Sequence, residues 1–199
     1  MISEETLHHY GAEIKTFEKG DFIFYQDGVA KNYFQVKSGE VKMNNYNEEG
    51  KEFIQGIFKE GRSFGEPPLF IGRVYPANAE AMETSEVLQL PKAKFFEMLK
   101  AEGLYLEVLE TFAKRLYYKA TVAAEISYEH PEHRILTLLN YFKKYSGNTE
   151  SAENYKVDFT RKEIAHLTGL RVETVIRAIK SLESQGKLKI ISGKVWMPI

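Results

Sequence analysis

Between Asp21 and Pro91 the chain alternates short β-rich runs with regularly placed glycines. The runs are DFIFYQ (21–26), NYFQVKS (32–38), EVKMNNYN (40–47), KEFIQGIFK (51–59) and AEAMETSEVLQLP (79–91); glycines recur at 20, 28, 39, 50, 61 and 72, most of them eleven residues apart. Strand-like segments with turn signals every ~8–12 residues predict an antiparallel sandwich or barrel. A solenoid with an eleven-residue period would share the spacing. It fails because the segments have no common side-chain pattern.

After Pro91 the period lengthens. KAKFFEMLK (92–100) reads as a short helix. From about Tyr105 to Tyr128 neither proline nor glycine interrupts one long helical pattern, in which Leu109, Phe112, Leu116, Ala120 and Ala123 recur at three- and four-residue steps. Such a helix is ~36 Å long. Its seam either packs on the barrel or meets a second copy, and a helix so long beside a small barrel predicts a homodimer. Pro131 disfavours α geometry in the residue before it and breaks the pattern at 129–132. The expected division is a sensor barrel at 1–104, a dimerisation helix and hinge at 105–130, and a third region at 131–199.

That third region reads as helix (134–145), polar loop (146–154), helix, turn, helix and hairpin. Thr160 and Glu163 have capping-box spacing, Gly169 makes the turn, and Gly186 closes the second helix. Ser192-Gly193 joins two short strands. Two helices linked by a glycine turn and followed by a hairpin form a winged helix-turn-helix. The fold class is therefore α+β.

The 199 residues carry a net charge of -1. That near-neutrality hides an asymmetry: residues 131–199 hold 12 Lys and Arg against 7 Asp and Glu, and residues 1–130 hold 15 against 21. A basic tail on an acidic body points to an anionic partner for the tail. Cysteine is absent, which excludes disulfides, thiol catalysis and Cys-ligated metals. Without an apolar run of about 20 residues or a signal-like N-terminus, a cytoplasmic protein off the membrane is expected.

In a winged unit the second helix enters the major groove with its N-terminal end. GLRVETVIR (169–177) places Glu173 and Arg177 one turn apart at that end. On an arbitrary helix such a pair is a solvated ion pair. On this helix, Glu accepts from cytosine N4 and Arg donates to guanine O6 and N7, so together they suit a G·C pair. Val175, Ile179 and Leu182 fall on the opposite side. Lys162, Arg171, Thr174, Lys180 and Lys194 are candidates for phosphate contacts, which position without choosing sequence. Arg171 occupies the expected N-cap, where Ser or Thr is favoured. It is either a phosphate contact or a tolerated cation.

The barrel, the long helix and GLRVETVIR, with GRSFGEPPLF (61–70) and SGEVKM (38–43), resemble the cyclic-AMP receptor/fumarate-nitrate regulator (Crp/Fnr) family of bacterial transcription factors over essentially the whole chain. The resemblance implies a cyclic-nucleotide-binding-like jelly roll, homodimeric binding to double-stranded DNA, RNA polymerase as a further partner, and no enzymatic activity. It matches Glu173 and Arg177 to the family's base-reading pair. Val172 stands where cyclic-AMP-responsive members commonly carry Arg, and Ile176 where oxygen-sensing members often carry Ser, so flanking operator positions should differ. In nucleotide-binding relatives a Gly-Glu pair holds the ribose and an Arg-Ser pair the phosphate. Gly65 and Glu66 match the first pair, but Tyr75 and Pro76 stand in the second. Losing two charge-assisted bonds of about 1.5–3 kcal/mol each should weaken phosphate binding steeply.

A cyclic-AMP site of the usual kind is therefore not expected. The effector pocket expected from the resemblance comprises Gly65, Glu66, Arg73, Tyr75 and Asn78, with Arg73 the one candidate substitute cation. No cofactor is expected. Haem would have to use His8 or His9, and His130 and His133 read as helix-start surface. A cupin-like metalloenzyme needs histidines on the barrel strands, and residues 11–129 contain none. The competing reading is a small-molecule sensor that acts through protein partners with little specific DNA binding.

Overall fold

The computed structural model describes residues 2–126, 130–145 and 154–198, which form two compact units, Met1–Ala113 and Lys114–Ile199. In the first unit α1 (Glu4–His9) precedes β1 (Glu13–Phe17), β2 (Phe22–Phe24), β3 (Asn32–Ser38), β4 (Glu40–Tyr46), β5 (Glu52–Lys59) and β6 (Ser63–Phe64). Next come α2 (Pro67–Ile71), β7 (Asn78–Ala81), β8 (Ser85–Pro91), α3 (Lys92–Ala101) and the start of α4 (Tyr105–Ile126). Two antiparallel four-stranded sheets result, ordered β1-β8-β3-β6 and β2-β7-β4-β5. They share one core that includes Phe24 of β2, Phe34 of β3, Val41 of β4 and Leu88 of β8. This is the double-sheet jelly roll that the alternating runs imply.

Strand β3 departs from simple alternation, because Tyr33, Phe34, Gln35 and Val36 are all buried. The ring of Phe34 lies 5.5 Å from those of Phe24 and Phe64. Tyr33 instead stacks on Phe95 of α3 at 4.5 Å, and Gln35 donates to the Ile2 carbonyl at 3.0 Å. A strand covered on both faces loses its polar positions. Helix α1 was not expected from the sequence. The Ser3 hydroxyl accepts from the Thr6 amide at 3.1 Å, and Leu7 anchors the helix in the core.

The second unit contains α5 (Pro131–Tyr145), β9 (Asn154–Val157), α6 (Arg161–Thr168), α7 (Val172–Ser184), β10 (Lys189–Ile191) and β11 (Lys194–Pro198). Pro131 opens α5, where its missing N–H costs nothing. The polar loop expected at 146–154 lies outside the described residues except Asn154, and Asn154 begins a strand instead. Strand β9 makes the wing a three-stranded sheet, β10-β11-β9, pairing Val157 with Val195 and Tyr155 with Met197. Only Tyr155 and Val157 of this four-residue strand are buried, too short an alternation to stand out.

The long helix runs as one element through Ile126. Phe112 of the apolar seam meets Phe70 of α2 edge-on at 5.4 Å, so this part of the seam packs on the jelly roll. Its exposed positions include Leu106, Leu109, Ala113, Leu116, Ala120 and Ala123, and also Tyr105 and Tyr117.

Candidate nucleic-acid interface

The turn between α6 and α7 is built from both of its ends. Thr160 Oγ1 accepts from the Glu163 amide at 3.2 Å, and the Glu163 carboxylate accepts from the Thr160 amide at 2.7 Å, completing the capping box at the start of α6. Gly169 ends α6 with φ of 70°, a left-handed conformation in which a Cβ would be strained. Arg134 Nη1 of α5 donates to the Thr168 carbonyl at 3.2 Å. That bond satisfies one of the carbonyls a helix end leaves open and ties the turn to α5. The sequence reading did not single out Arg134; its only signal is a cation in the first turn of an otherwise amphipathic helix.

Helix α7 divides cleanly. Val175, Ala178, Ile179 and Leu182 are buried, with Val175 and Leu182 fully inaccessible. Glu173, Ile176, Arg177 and Lys180 are exposed and recur at three- and four-residue steps along the opposite face. Thr174 is half-buried between the two faces. Arg171 is the N-cap, with φ of -79° and ψ of 148° and no side-chain capping bond. The first amides of α7 therefore receive no oxygen from their cap residue, and Arg171 stands exposed beside them.

Lys162, Arg171, Arg177, Lys180 and Lys194 are all exposed, and none has an ion-pair partner among the described residues. Glu173 likewise forms no ion pair. Arg161 differs: half-buried at the start of α6, its guanidinium has a pKa lowered by burial, which nearby Glu183 opposes. It belongs to the packing of the unit.

Of the five residues expected around an effector, Tyr75 lines one cavity of the first unit and Glu66 another. Gly65 has φ of 72°, and a Cβ there would sit 2.9 Å from the Phe24 ring and 3.4 Å from that of Tyr75. Phe24 and Tyr75 stack at 3.7 Å with an interplanar angle of 12°. The space above Gly65 is thus filled by the protein's own rings. Tyr75 is buried, and its hydroxyl points to the Asn32 carbonyl at 3.5 Å. Burial pushes its pKa up to about 12, although the backbone contacts at Asn32 and Lys31 pull the other way. Glu66 is also buried and lines a separate small cavity with Tyr33, Glu107 and Thr111. Arg73 is exposed and lines neither that cavity nor the larger one beside Tyr75. Asn78 is engaged in the sheet, accepting from the Gln26 amide at 2.9 Å and donating to the Asn44 carbonyl at 3.4 Å.

Residues 14–102 match the cyclic nucleotide-binding domain, and residues 133–197 match the Crp-like helix-turn-helix domain. The chain belongs to the Crp/Fnr family. The transcriptional activator protein Anr of Pseudomonas aeruginosa is 25% identical over 174 residues, 86% of this chain and 71% of that one. The fumarate and nitrate reduction regulatory protein of Escherichia coli is 25% identical over 182 residues, 88% of this chain and 71% of that one. Among solved structures, FixK2 from Bradyrhizobium japonicum superposes with a TM-score of 0.75 at 22% identity, covering 94% of this chain and 92% of that one. The same order of jelly roll, long helix and winged unit therefore extends along nearly the whole of this Crp/Fnr member. No described helix is long and apolar enough to cross a membrane.

Proposed function

We propose that this Crp/Fnr-type transcription regulator, which is not an enzyme, binds a pseudo-palindromic operator as a homodimer, with Glu173 and Arg177 meeting base edges in the major groove. The observation that carries this reading is the exposed acid and guanidinium, unpaired and one turn apart, on a helix whose other face is locked into the core. Two such helices about a helical turn of DNA apart (~34 Å) would read half-sites related by a twofold axis. Lys162, Arg171, Lys180 and Lys194 supply phosphate contacts around them, and Thr174 a polar group at the groove edge. Ile176, between the readers in sequence and 41% exposed, suits contact with a thymine methyl group.

Dimerisation is assigned to α4. Leu106, Leu109 and Leu116 are 75%, 61% and 70% exposed, and with Ala113, Ala120 and Ala123 they follow the alternating three- and four-residue steps of a coiled-coil seam. Control by cyclic AMP is not part of the proposal, because Tyr75 and Pro76 offer no phosphate-binding donors of the Arg-Ser kind and rings cover Gly65. RNA polymerase on the bacterial chromosome, hence the cytoplasm, completes the expected setting.

The test is fluorescence anisotropy with a pool of pseudo-palindromic duplexes at fixed salt, together with sedimentation of the free protein. Selection of sites sharing a G·C position, lost in Glu173→Ala and Arg177→Ala, supports the proposal. Binding without sequence preference would instead favour a sensor acting through protein partners.

A further inference from the structure

The cavity beside Tyr75 measures about 310 Å³ and is lined by residues of β1, β2, β3 and β8 together with Val29, Lys31 and Tyr75. Its apolar lining includes the rings of Phe24, Phe34 and Tyr75, all buried. Lys15 and Lys31 also line it; both are exposed, and neither has an ion-pair partner among the described residues. Half-buried Gln89 adds an amide, and no Asp or Glu lines the cavity. The volume lies at the small end of the range typical of ligand sites, about 300–1,000 Å³.

We propose that this cavity binds a small amphipathic anion, an aryl or short-chain acyl carboxylate. The apolar body lies along Phe17, Ile23 and Val29, above the edges of the three buried rings, and the carboxylate meets the two ammonium groups. Rings alone would take a neutral apolar molecule. Two like charges beside one apolar cleft, with no carboxylate of the protein between them, make an anion the better guest. Charge-assisted bonds to lysine then add orientation. Gly65, matched to a cyclic nucleotide's ribose, does not line this cavity, although Phe24 and Tyr75 lie next to both.

The cavity also touches the parts of the unit that lead to the long helix. Two of its lining rings, Phe24 and Tyr75, also lie against Gly65, which precedes the N-cap residue Glu66 of α2, and Phe70 of α2 meets Phe112 of α4. A ligand that shifts the stack would act on that run of packed side chains. Differential binding to two settings of α2 is what would make it an effector.

Titration calorimetry of the full chain with benzoate, phenylpropionate and hexanoate, and with the neutral amide of each, tests the site. At least one carboxylate is expected to bind, and its amide to bind at least about tenfold more weakly. The Lys15→Gln/Lys31→Gln variant should lose at least about tenfold in carboxylate affinity, whereas Lys100→Gln on α3 should lose none. Val29→Trp, which fills the cavity beside Tyr75 without changing charge, should remove binding. Circular dichroism establishes that each variant is folded. Equal affinity for acid and amide, unchanged binding in the double lysine variant or in Val29→Trp, or no heat from any carboxylate at millimolar concentration would overturn the proposal. These titrations contain no DNA, so their failure leaves the operator reading standing.

Discussion

Glu173 and Arg177 stand one turn apart on the exposed face of α7, yet no ion pair joins them. An acid and a base at this spacing ordinarily gain a few tenths of a kcal/mol from each other. Their separation leaves both free for outside partners. On a duplex carrying the selected G·C position, Arg177→Ala is expected to cost about 1–3 kcal/mol, and Glu173→Ala to relax the preference there. Anisotropy titrations against the site and its single-base variants at constant salt measure both. Equal losses on all sequences would mark Arg177 as a phosphate contact.

Ile176 presents an apolar surface between those two readers. If it meets a thymine methyl group, replacing that thymine by uracil should weaken wild-type binding by about 1 kcal/mol, the value of one buried methyl group. The same replacement should leave Ile176→Ser indifferent. Competition binding with the two duplexes decides it. A uracil penalty that persists in the variant would assign the methyl contact elsewhere.

The exposed leucines of α4 predict an oligomeric state. Leu116→Asp places a charge where the seam requires an apolar side chain, and sedimentation should show a monomer at concentrations where the wild type is a dimer. Affinity for a two-half-site duplex should then fall much further than affinity for a single half-site. An unchanged sedimentation coefficient would move the dimer interface off α4.

The phenol of Tyr75 predicts a pH dependence. Its folded-state pKa is raised from 10.0 to about 12 by burial, so the stability it contributes is whole below pH 10. As pH climbs between the two values the unfolded chain loses this proton while the folded one keeps it, and stability falls. The loss is about 2–3 kcal/mol over the full interval. Urea titrations of wild type and Tyr75→Phe between those pH values should show the difference narrowing as pH rises. Parallel curves would contradict the assignment.

Local signals in the sequence determined much of this protein. The glycine spacing and β-rich runs marked the strands of the jelly roll, because turns and alternation are properties of neighbouring residues. The capping-box spacing of Thr160 and Glu163, the turn at Gly169 and the apolar positions of α7 defined the helix-turn-helix for the same reason. Glu173 and Arg177 could be picked out because helical periodicity alone puts them on one side.

What tertiary structure decided were contacts between residues distant in the chain. No local pattern shows that Phe24 reaches Gly65 and Tyr75, or that a ring takes the room a side chain at 65 would need. Phe112 fits the helical seam by spacing, but Phe70 draws it into the first unit. Strand β9 owes its existence to pairing with β11, and four residues hold too few side chains to announce it. The cavity between Lys15, Lys31 and the buried rings likewise comes from four strands brought together by folding. Periodicity is written along a chain, whereas the filling of space depends on which segments meet.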